Sequence, residues 1–453
     1  MVVALNLLIL GGTIVTMSSK GVIRDGAIAV EDRHVVDVGK SRELRRKYRR
    51  YETIKAEGKV VIPGLISTHH HAAMGLLRGY ADDYPLKEWL ERWIWPLERC
   101  MKGHDIYVGA LLTAVESIMG GITTINTMYH YVEGGNEAQG FAEAGLRGII
   151  GHVCFSWRKD EDRRALESLA REWHGKHDGR IRVSVDPHAP YTVDPEYMVE
   201  LWHIKNDLNE RYGSPGNPVI WHIHVAETED EPEKIRQAFN VPVKGGVVEY
   251  LDSLGVLGKD VIAAHCVALN ERDITILRDR DVKVSHCPIS NLKLASGVSP
   301  VPRLLDAGVT VSLGTDGPSS NNASDMFEVM KIAALLHKGV WRNPTLLPAE
   351  KVLGMATIEG AKALLWEREI GSIEVGKKAD ITILNFDKPH LRPLYNELSH
   401  LVYAAKASDV ETVVINGDIV MENREVKTVN VHRLLEEAEK TKEDLLNRLS
   451  QNR

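Results

Sequence analysis

The feature of this sequence that most constrains its fold is an alternation of short apolar runs with amphipathic stretches through the middle of the chain. Eight apolar runs are predicted as strands, with helical patterns between them: 64–68, 123–127, 148–152, 182–186, 219–224, 261–265, 282–286 and 309–313. Eight strand–helix units over ~300 residues fit a (β/α)8 TIM barrel, whose usual size is ~250 residues. An open doubly wound sheet is the alternative, but no G-x-G-x-x-G motif follows the first strand.

The two ends of the chain have a different, β-rich texture. Short runs rich in Val, Ile and Thr precede residue 62, and Gly11-Gly12 is interpreted as a turn between two strands. Similar runs return at 371–376, 379–386, 410–415 and 418–421. The sequence therefore predicts an α/β protein with a small β-sandwich domain formed by the N- and C-terminal segments. Its predicted parts are residues 1–61 and 368–427 for the sandwich, 62–367 for the barrel and 428–453 for a charged C-terminal helix.

Charge and cysteine content argue against several other classes of protein. A formal net charge of −7 argues against a general nucleic-acid binder, which would show a basic face. Four cysteines without a C-x-x-C motif do not form a disulfide framework, which favours a reducing compartment. No stretch approaches the ~20 apolar residues of a membrane span. We therefore expect a cytoplasmic protein without a nucleic-acid or membrane partner.

Polar residues follow the first predicted barrel strand at its end. The stretch Pro63-Gly-Leu-Ile-Ser-Thr-His-His-His71 closes with His69 and His71, which share one face of the strand, whereas His70 points to the opposite side. This spacing suits a single metal ion, because both imidazoles can reach it together. A His-x-His pair also occurs as a plain polar strand end, so the pair alone leaves both readings open.

Three later predicted strands end in further histidines and acids. His224 shares a strand face with His222, and Glu227 follows where the strand gives way to a loop. His265 and Asp316 close two more strands. A carboxylate that ends an apolar strand is costly to bury unpaired, so a metal or cation would explain Asp316. Metal-assisted hydrolysis needs such ligands beside a proton carrier.

The order His-x-His, His-x-x-Glu, His, Asp at successive strand ends resembles the amidohydrolase superfamily, in particular its deaminase branch with one metal. The resemblance implies one divalent metal per chain, with zinc suiting the nitrogen-rich ligand set and ferrous iron or manganese also accepted. It assigns proton transfer and polarisation of the developing oxygen to Glu227 and His265, and it gives Asp316 a second role as acceptor of the water's proton. The implied metal ligands are His69, His71, His224 and Asp316.

Within that branch the chain is similar to the methylthioadenosine/S-adenosylhomocysteine deaminase family. The similarity is carried by residues 76–83, 89, 94–98, 187–192, 288–297 and 314–322. It implies hydrolytic deamination of S-adenosylhomocysteine, 5′-methylthioadenosine, 5′-deoxyadenosine or adenosine with release of ammonia, and it is compatible with a homo-oligomer. The substrate-binding residues that it implies are Trp89, Glu98, Arg147, His188 and Ser320.

Some of these assignments have structural alternatives. Trp89 and Trp93 are four residues apart and also fit the buried stripe of one helix. Arg147 also fits a surface cation. Arg158 and Lys159 are the candidates for a cation that grips a homocysteine carboxylate.

The chain departs from the family at two positions. His70 stands where relatives usually carry a small or hydroxyl residue, and Thr127-Met-Tyr129 lacks the family's acidic residue at its first position. The first departure bears on how the ligands pack, and the second on a polar contact near the site.

The sequence also leaves two rival functions open. One is a chlorohydrolase or aminohydrolase of another N-heterocycle, such as a triazine or guanine, and the other is a non-catalytic scaffold. Glu227 favours deamination, because displacing chloride does not require the leaving group to be protonated to the same degree. The intact set of ligands and proton carriers argues against the scaffold.

Overall fold

The computed structural model describes residues 6–452, so residues 1–5 and 453 of the two predicted terminal segments lie outside the described residues. Two sheets account for the strands of the described part. In chain order the strands are β1 (Leu7–Val15), β2 (Val22–Glu31), β3 (His34–Lys40), β4 (Glu52–Lys55), β5 (Lys59–Pro63), β6 (Leu65–His70), β7 (Ile122–Tyr129), β8 (Arg147–Cys154), β9 (Ile181–Pro187), β10 (Ile220–Val225), β11 (Val261–His265), β12 (Lys283–His286), β13 (Val311–Leu313), β14 (Ile381–Asn385), β15 (Val410–Ile415), β16 (Asp418–Glu422) and β17 (Glu425–Val426).

Helices lie between the barrel strands, and others precede the first or follow the last of them. In chain order they are α1 (Ser41–Lys47), α2 (Leu86–Glu88), α3 (Trp95–Glu98), α4 (Gly103–Met119), α5 (Glu137–Ala144), α6 (Lys159–Trp173), α7 (Lys176–Gly179), α8 (Pro195–Tyr212), α9 (Glu231–Phe239), α10 (Val247–Ser253), α11 (Glu271–Asp279), α12 (Pro288–Lys293), α13 (Val301–Asp306), α14 (Met326–Val340), α15 (Ala349–Met355), α16 (Ile358–Ala363), α17 (Glu397–Tyr403) and α18 (Val431–Gln451). Short 3-10 turns occupy Ala72–Leu77, Ser156–Arg158, Pro389–Leu391 and Ala407–Asp409, and a π-helical turn spans Trp89–Ile94.

Strands β6 to β13 lie side by side in chain order and run parallel throughout. The first and last of them close the ring, because Asp316 N–H donates to His69 O over 3.1 Å and Thr68 Oγ1 donates to Leu313 O over 3.0 Å. The predicted (β/α)8 barrel is therefore confirmed, and each of its strands lies within two residues of its predicted bounds. Apolar runs of this length predicted the strands well because parallel strands are buried on both faces.

The second sheet combines strands from both ends of the chain, as predicted. Its order is β17-β16-β15-β14-β5-β1-β2-β3, with β4 also paired to β1. The two halves meet at β5, which pairs in parallel with β1 and antiparallel with β14 from Lys59–Asn385 to Pro63–Ile381. Apolar side chains on one face, including Ile9, Val61 and Ile383, form a separate core.

Two details of the terminal prediction are wrong. Gly11-Gly12 does not form a turn, because β1 continues through both residues. The strand has a β-bulge there: Gly11 has a φ of +92°, and the pairing of β1 with β2 shifts register at this point. Residues 371–376 form no strand, since Gly371 and Gly376 have φ values of +90° and +93° that leave the extended region. Strand β4 was missed because its sequence, ETIK, is mostly polar.

The C-terminal helix α18 is charged and lies on the surface, with one apolar edge packed inward. Leu445 and Leu449 join the cluster of buried side chains that contains Trp89 and Leu97. Arg448 Nη2 lies 2.5 Å from Asp105 Oδ2 at the start of α4. None of the helices within residues 6–452 is both long and apolar enough to cross a membrane.

Candidate active site

The predicted metal ligands meet at the carboxyl ends of the barrel strands. His69 and His71 leave β6, His224 lies in β10, and Asp316 follows β13. His71 Nε2 lies 3.3 Å from His224 Nε2, and Asp316 Oδ1 lies 3.3 Å from the Nε2 atoms of both His69 and His71. Four side chains from three strands thus direct one donor atom each toward a common point.

The outer ring nitrogens of two of these histidines are already engaged. His71 Nδ1 donates to Met128 O over 2.8 Å, and His224 Nδ1 donates to His188 O over 2.6 Å. Because a carbonyl oxygen only accepts, each of these Nδ1 atoms carries the hydrogen and each Nε2 presents its lone pair to the centre. This is the orientation in which imidazole binds a metal ion.

The residues present fit one divalent cation. The buried Nε2 of His69 has no hydrogen-bond partner among the described residues. Burial also holds the pKa values of His69 and His224 well below the ordinary range, so both rings are neutral and able to coordinate. Facing lone pairs and a buried carboxylate are unfavourable without a cation between them, and three imidazoles with one carboxylate make a donor set that zinc accepts.

Glu227 and His265 lie beside this centre. Burial raises the pKa of the Glu227 carboxyl. The backbone N–H of Glu227 donates to Glu231 Oε2 over 2.9 Å. His265 Nδ1 donates to Asn291 Oδ1 over 2.8 Å. Burial opposes protonation of His265, but the carboxylates of Glu227 and Asp316 outweigh it and raise the pKa of the ring. His265 and Asp316 have φ values of 71° and 61°, a strained backbone that is rare outside glycine.

One cavity joins these groups to four of the five predicted substrate-binding residues, Trp89, Glu98, His188 and Ser320. Trp89 lies in the π-helical turn, and its Nε1 donates to Ala81 O over 3.0 Å. Trp93 instead packs on Tyr84, with ring centroids 5.2 Å apart. The two tryptophans are therefore not one buried stripe, and Trp89 alone faces the cavity.

Two further polar groups, Glu98 and His188, line the wall of the cavity, and the His188 ring lies beside that of His224 with a centroid distance of 5.0 Å. Burial raises the pKa of Glu98 to about 7, against the opposing hydrogen bond from Tyr129. His188 Nδ1 lies 2.9 Å from Thr192 Oγ1, and its ring stacks on Phe155 with a centroid distance of 4.9 Å. The wall thus offers a carboxyl and an imidazole between aromatic surfaces.

Arg147 is the substrate-binding prediction that the structure contradicts. Arg147 begins β8, at the end of the barrel opposite the cavity, and it is fully buried. Its Nε and Nη2 donate to the two carboxylate oxygens of Asp380 over 2.7 and 3.0 Å. Arg147 directly precedes the apolar run predicted as the third barrel strand, so it lies at the amino end of β8, away from the cavity. There its bonds to Asp380 connect the barrel to the terminal sheet.

We expect Arg147→Ala to lower the free energy of unfolding by ~3–5 kcal/mol, because it leaves the Asp380 carboxylate buried and unpaired. Denaturant titration measures this loss, and the activity of the folded fraction should not change. Arg163→Ala, which removes an exposed pair with Glu200, is the matched control and should cost about 1 kcal/mol or less. A raised KM with unchanged stability in Arg147→Ala would return Arg147 to the substrate site.

The structure shows the contacts of His70 and Thr127, the two residues that depart from the family pattern. His70 is buried and faces away from the cavity, with Nε2 3.1 Å from Ser324 Oγ. Thr127 Oγ1 lies 3.1 Å from the Oε1 atom of Glu137, a buried carboxyl from α5 that also accepts from Ala73 N–H over 2.7 Å. The Glu137 carboxyl, from the helix that follows β7, therefore supplies an acidic group beside Thr127, where the family has an acidic residue in the strand. Sequence reasoning missed Glu137, because nothing local separates it from an ordinary first-turn glutamate.

Eight parallel strands that surround such a cluster of histidines and acids at their carboxyl ends define the class of TIM-barrel hydrolases. The chain belongs to the amidohydrolase family, whose model matches residues 60–420. It is 44% identical to the 5-methylthioadenosine/S-adenosylhomocysteine deaminase of Pelotomaculum thermopropionicum and 42% identical to the 5′-deoxyadenosine deaminase of Methanosarcina acetivorans, each over 98% of this chain and 99% of the relative. A solved adenosine deaminase from Xanthomonas campestris with bound zinc superposes with a TM-score of 0.88 at 32% identity, over 98% of this chain and 99% of that one.

Proposed function

We propose that this protein is a hydrolytic deaminase that replaces the 6-amino group of adenosine-type nucleosides by oxygen and releases ammonia. The observation that carries the proposal is the single cavity in which the Glu227 and His265 side chains and the histidine–aspartate cluster face Trp89, Glu98 and His188. The names of the relatives, deaminases of methylthioadenosine, S-adenosylhomocysteine and 5′-deoxyadenosine, support the same class of substrate.

The proposed chemistry divides between the cluster and the two groups beside it. His69, His71, His224 and Asp316 would hold one divalent ion, for which zinc suits the donors. When bound, such an ion makes water acidic enough to attack at neutral pH. Asp316 accepts the proton of the attacking water, and Glu227 delivers a proton to ring N1, which burial favours by keeping that carboxyl protonated more readily. Asp316 then passes its proton to the 6-amino group, the C6–N bond breaks to release ammonia, and the proton of the C6 hydroxyl returns to Glu227. His265 donates to the oxygen that develops at C6.

The remaining cavity residues would recognise the nucleoside. Trp89 packs on the adenine ring, Glu98 accepts from the ribose 2′- and 3′-hydroxyls, and His188 contacts the ribose. Ser320 lines the same cavity, and its hydroxyl donates to Gly317 O over 3.1 Å. A free base would leave Glu98 and His188 without partners, which disfavours it as a substrate.

The cavity adjoins a second space that shares Trp95, Glu98 and Phe155 with it, and we propose that the 5′-substituent of the nucleoside extends into this space. Arg158 lines this space and its Nη1 donates to His130 Nδ1 over 2.8 Å. Arg158 also pairs with Glu161, whereas Lys159 pairs with Asp194 and is not one of the residues that line this space. Of the two cations considered for a homocysteine carboxylate, Arg158 is therefore the one that we propose.

Substitution of Glu98 tests the substrate class. We expect Glu98→Gln to lower kcat/KM for the nucleosides about 10- to 100-fold, since the amide offers the two ribose hydroxyls one acceptor oxygen in place of the two oxygens of the carboxylate. The same variant should hardly change any residual activity on free bases. Ammonia release is measured with adenosine, 5′-deoxyadenosine, methylthioadenosine, S-adenosylhomocysteine, adenine, guanine and a chlorotriazine. Glu91→Gln, at an exposed position of the same segment, serves as the control.

Two results would contradict this assignment. One is wild-type protein that deaminates guanine or dechlorinates a triazine faster than every nucleoside tested. The other is an equal loss in Glu98→Gln for nucleosides and for their 2′,3′-dideoxy analogues, which lack the hydroxyls that Glu98 is proposed to bind. Either result would leave the proposed metal ligands untouched, because Trp89, Glu98 and His188 are not among them.

A further inference from the structure

His69 differs from the other two proposed ligand histidines in what holds its outer ring nitrogen. The Nδ1 atoms of His71 and His224 donate to main-chain carbonyl oxygens. His69 Nδ1 instead lies 2.8 Å from the Nε2 atom of another imidazole, His222, and His222 Nδ1 lies 3.4 Å from Asp186 Oδ2. A row of three side chains, Asp186–His222–His69, therefore runs from the barrel interior to the proposed metal centre.

The interior end of this row is built around a buried carboxyl. Asp186 and His222 are both fully buried, and neither oxygen of Asp186 has a hydrogen-bond partner within residues 6–452. The Asp186 carboxyl has room at this position because residue 151 is glycine, since a Cβ atom there would come within 1.6 Å of Asp186 Oδ2. Burying a carboxyl is costly, so its position against an imidazole calls for a role that offsets the cost.

Two imidazole nitrogens that face each other share one hydrogen, and its position determines what His69 can do. For His69 Nε2 to present a lone pair to the metal centre, His69 Nδ1 must carry the hydrogen and donate to His222 Nε2. His222 must then carry its own hydrogen on Nδ1, the atom that faces Asp186. The Asp186 carboxyl offers an acceptor oxygen to that hydrogen in either of its protonation states.

We propose that Asp186 and His222 are positioning residues that fix the tautomer and orientation of His69, so that its Nε2 can bind the divalent ion. The proposal rests on the proposed function, because it assigns a role toward the ion that the deaminase would use. Asp186 and His222 do not line the cavity that is proposed to hold the substrate. Their effect reaches the reaction only through the affinity and geometry of the metal centre.

Metal affinity without substrate tests this proposal. Metal-free protein is titrated with Zn²⁺ against a chelator of known affinity, and the visible absorption spectrum of the Co²⁺ form is recorded. In Asp186→Asn the amide can turn its N–H₂ toward His222 Nδ1, which places the His222 hydrogen on Nε2, against His69. We expect the dissociation constant for Zn²⁺ to rise about 10- to 100-fold and the Co²⁺ spectrum to change.

A pair of variants at His222 covers the case in which Asp186→Asn does not fold. His222→Gln keeps an acceptor oxygen for His69 Nδ1–H, whereas His222→Leu removes it, so the glutamine variant should bind Zn²⁺ more tightly than the leucine variant. Thr124→Val is the control, because the Thr124 hydroxyl is also buried in a barrel strand, has no hydrogen-bond partner in the described part of the chain and lies outside the row. It should bind Zn²⁺ as the wild type does.

The possible results separate this inference from the proposed function. If folded Asp186→Asn binds Zn²⁺ within about twofold of the wild type, or if the two His222 variants bind equally, the positioning role is wrong, whatever happens to the midpoint of unfolding. If the wild type binds the ion but deaminates no nucleoside, the proposed function fails and the positioning role is upheld by the same titrations. A wild type that binds no divalent ion overturns both.

Discussion

Replacing Glu227 with glutamine is expected to leave metal binding intact and to lower kcat for deamination by about 10² to 10⁴. Glutamine keeps the shape and the polarity of the side chain but cannot deliver a proton to the ring nitrogen. The native carboxyl is suited to this transfer because burial raises its pKa toward the working pH. The substitution therefore removes one step and preserves the cavity in which that step takes place.

This expectation is checked by the rate of ammonia release at saturating nucleoside, together with the metal content of the same sample. Glu229→Gln, two residues along the chain and exposed, provides the control and should retain wild-type turnover. Glu227→Gln enzyme with an undiminished kcat would mean that another group carries the proton. A parallel loss of metal would show instead that Glu227 supports the ligands.

His224→Ala is expected to remove most of the bound metal and about 10³-fold or more of the turnover together. The alanine leaves an opening beside His71, whose Nε2 lies 3.3 Å from the His224 nitrogen that is lost. Two histidines and one carboxylate then remain, and the pair of facing Nε2 donors that holds the ion between β6 and β10 is lost. Both losses follow from one missing donor atom.

Elemental analysis of purified protein after reconstitution, paired with the activity assay, measures the two losses. The wild type should carry one divalent ion per chain, and His203→Ala, at an exposed position of α8, should match it. Two tightly bound ions in the wild type, or none, would refute the single-metal site. A His224→Ala protein that loses the ion but keeps its turnover would refute the role of the ion in catalysis.

The barrel and its polar strand ends were predictable because both depend on local patterns. An apolar run of the right length marks a strand, and the residue that ends it lies on the catalytic face, so His69, His71, His224, His265 and Asp316 could be named in order. The same logic applied to the other end of a strand would have placed Arg147 away from the cavity.

Contacts between distant parts of the chain were not predictable in this way. Asn291 reaches His265 from a separate helix, and Glu137 reaches Thr127 from the helix that follows. Asp186 meets His222 only because β9 and β10 are neighbours in the ring. The spacing of residues along the sequence does not predict such pairs, since each pair depends on which side chains the closed barrel brings into contact.

The position of β5 in the terminal sheet also has a consequence for how the chain folds. β5 pairs with β1 nearby in sequence and with β14 more than 300 residues later, and the whole barrel lies between those two partners. Closing so long a loop in an unfolded chain is entropically unfavourable, whereas a folded barrel already holds its two ends close together. We therefore expect the sheet to be completed after the barrel has folded. A fragment that ends after the barrel leaves β5 with an open edge, and such edges pair readily with other chains and promote aggregation.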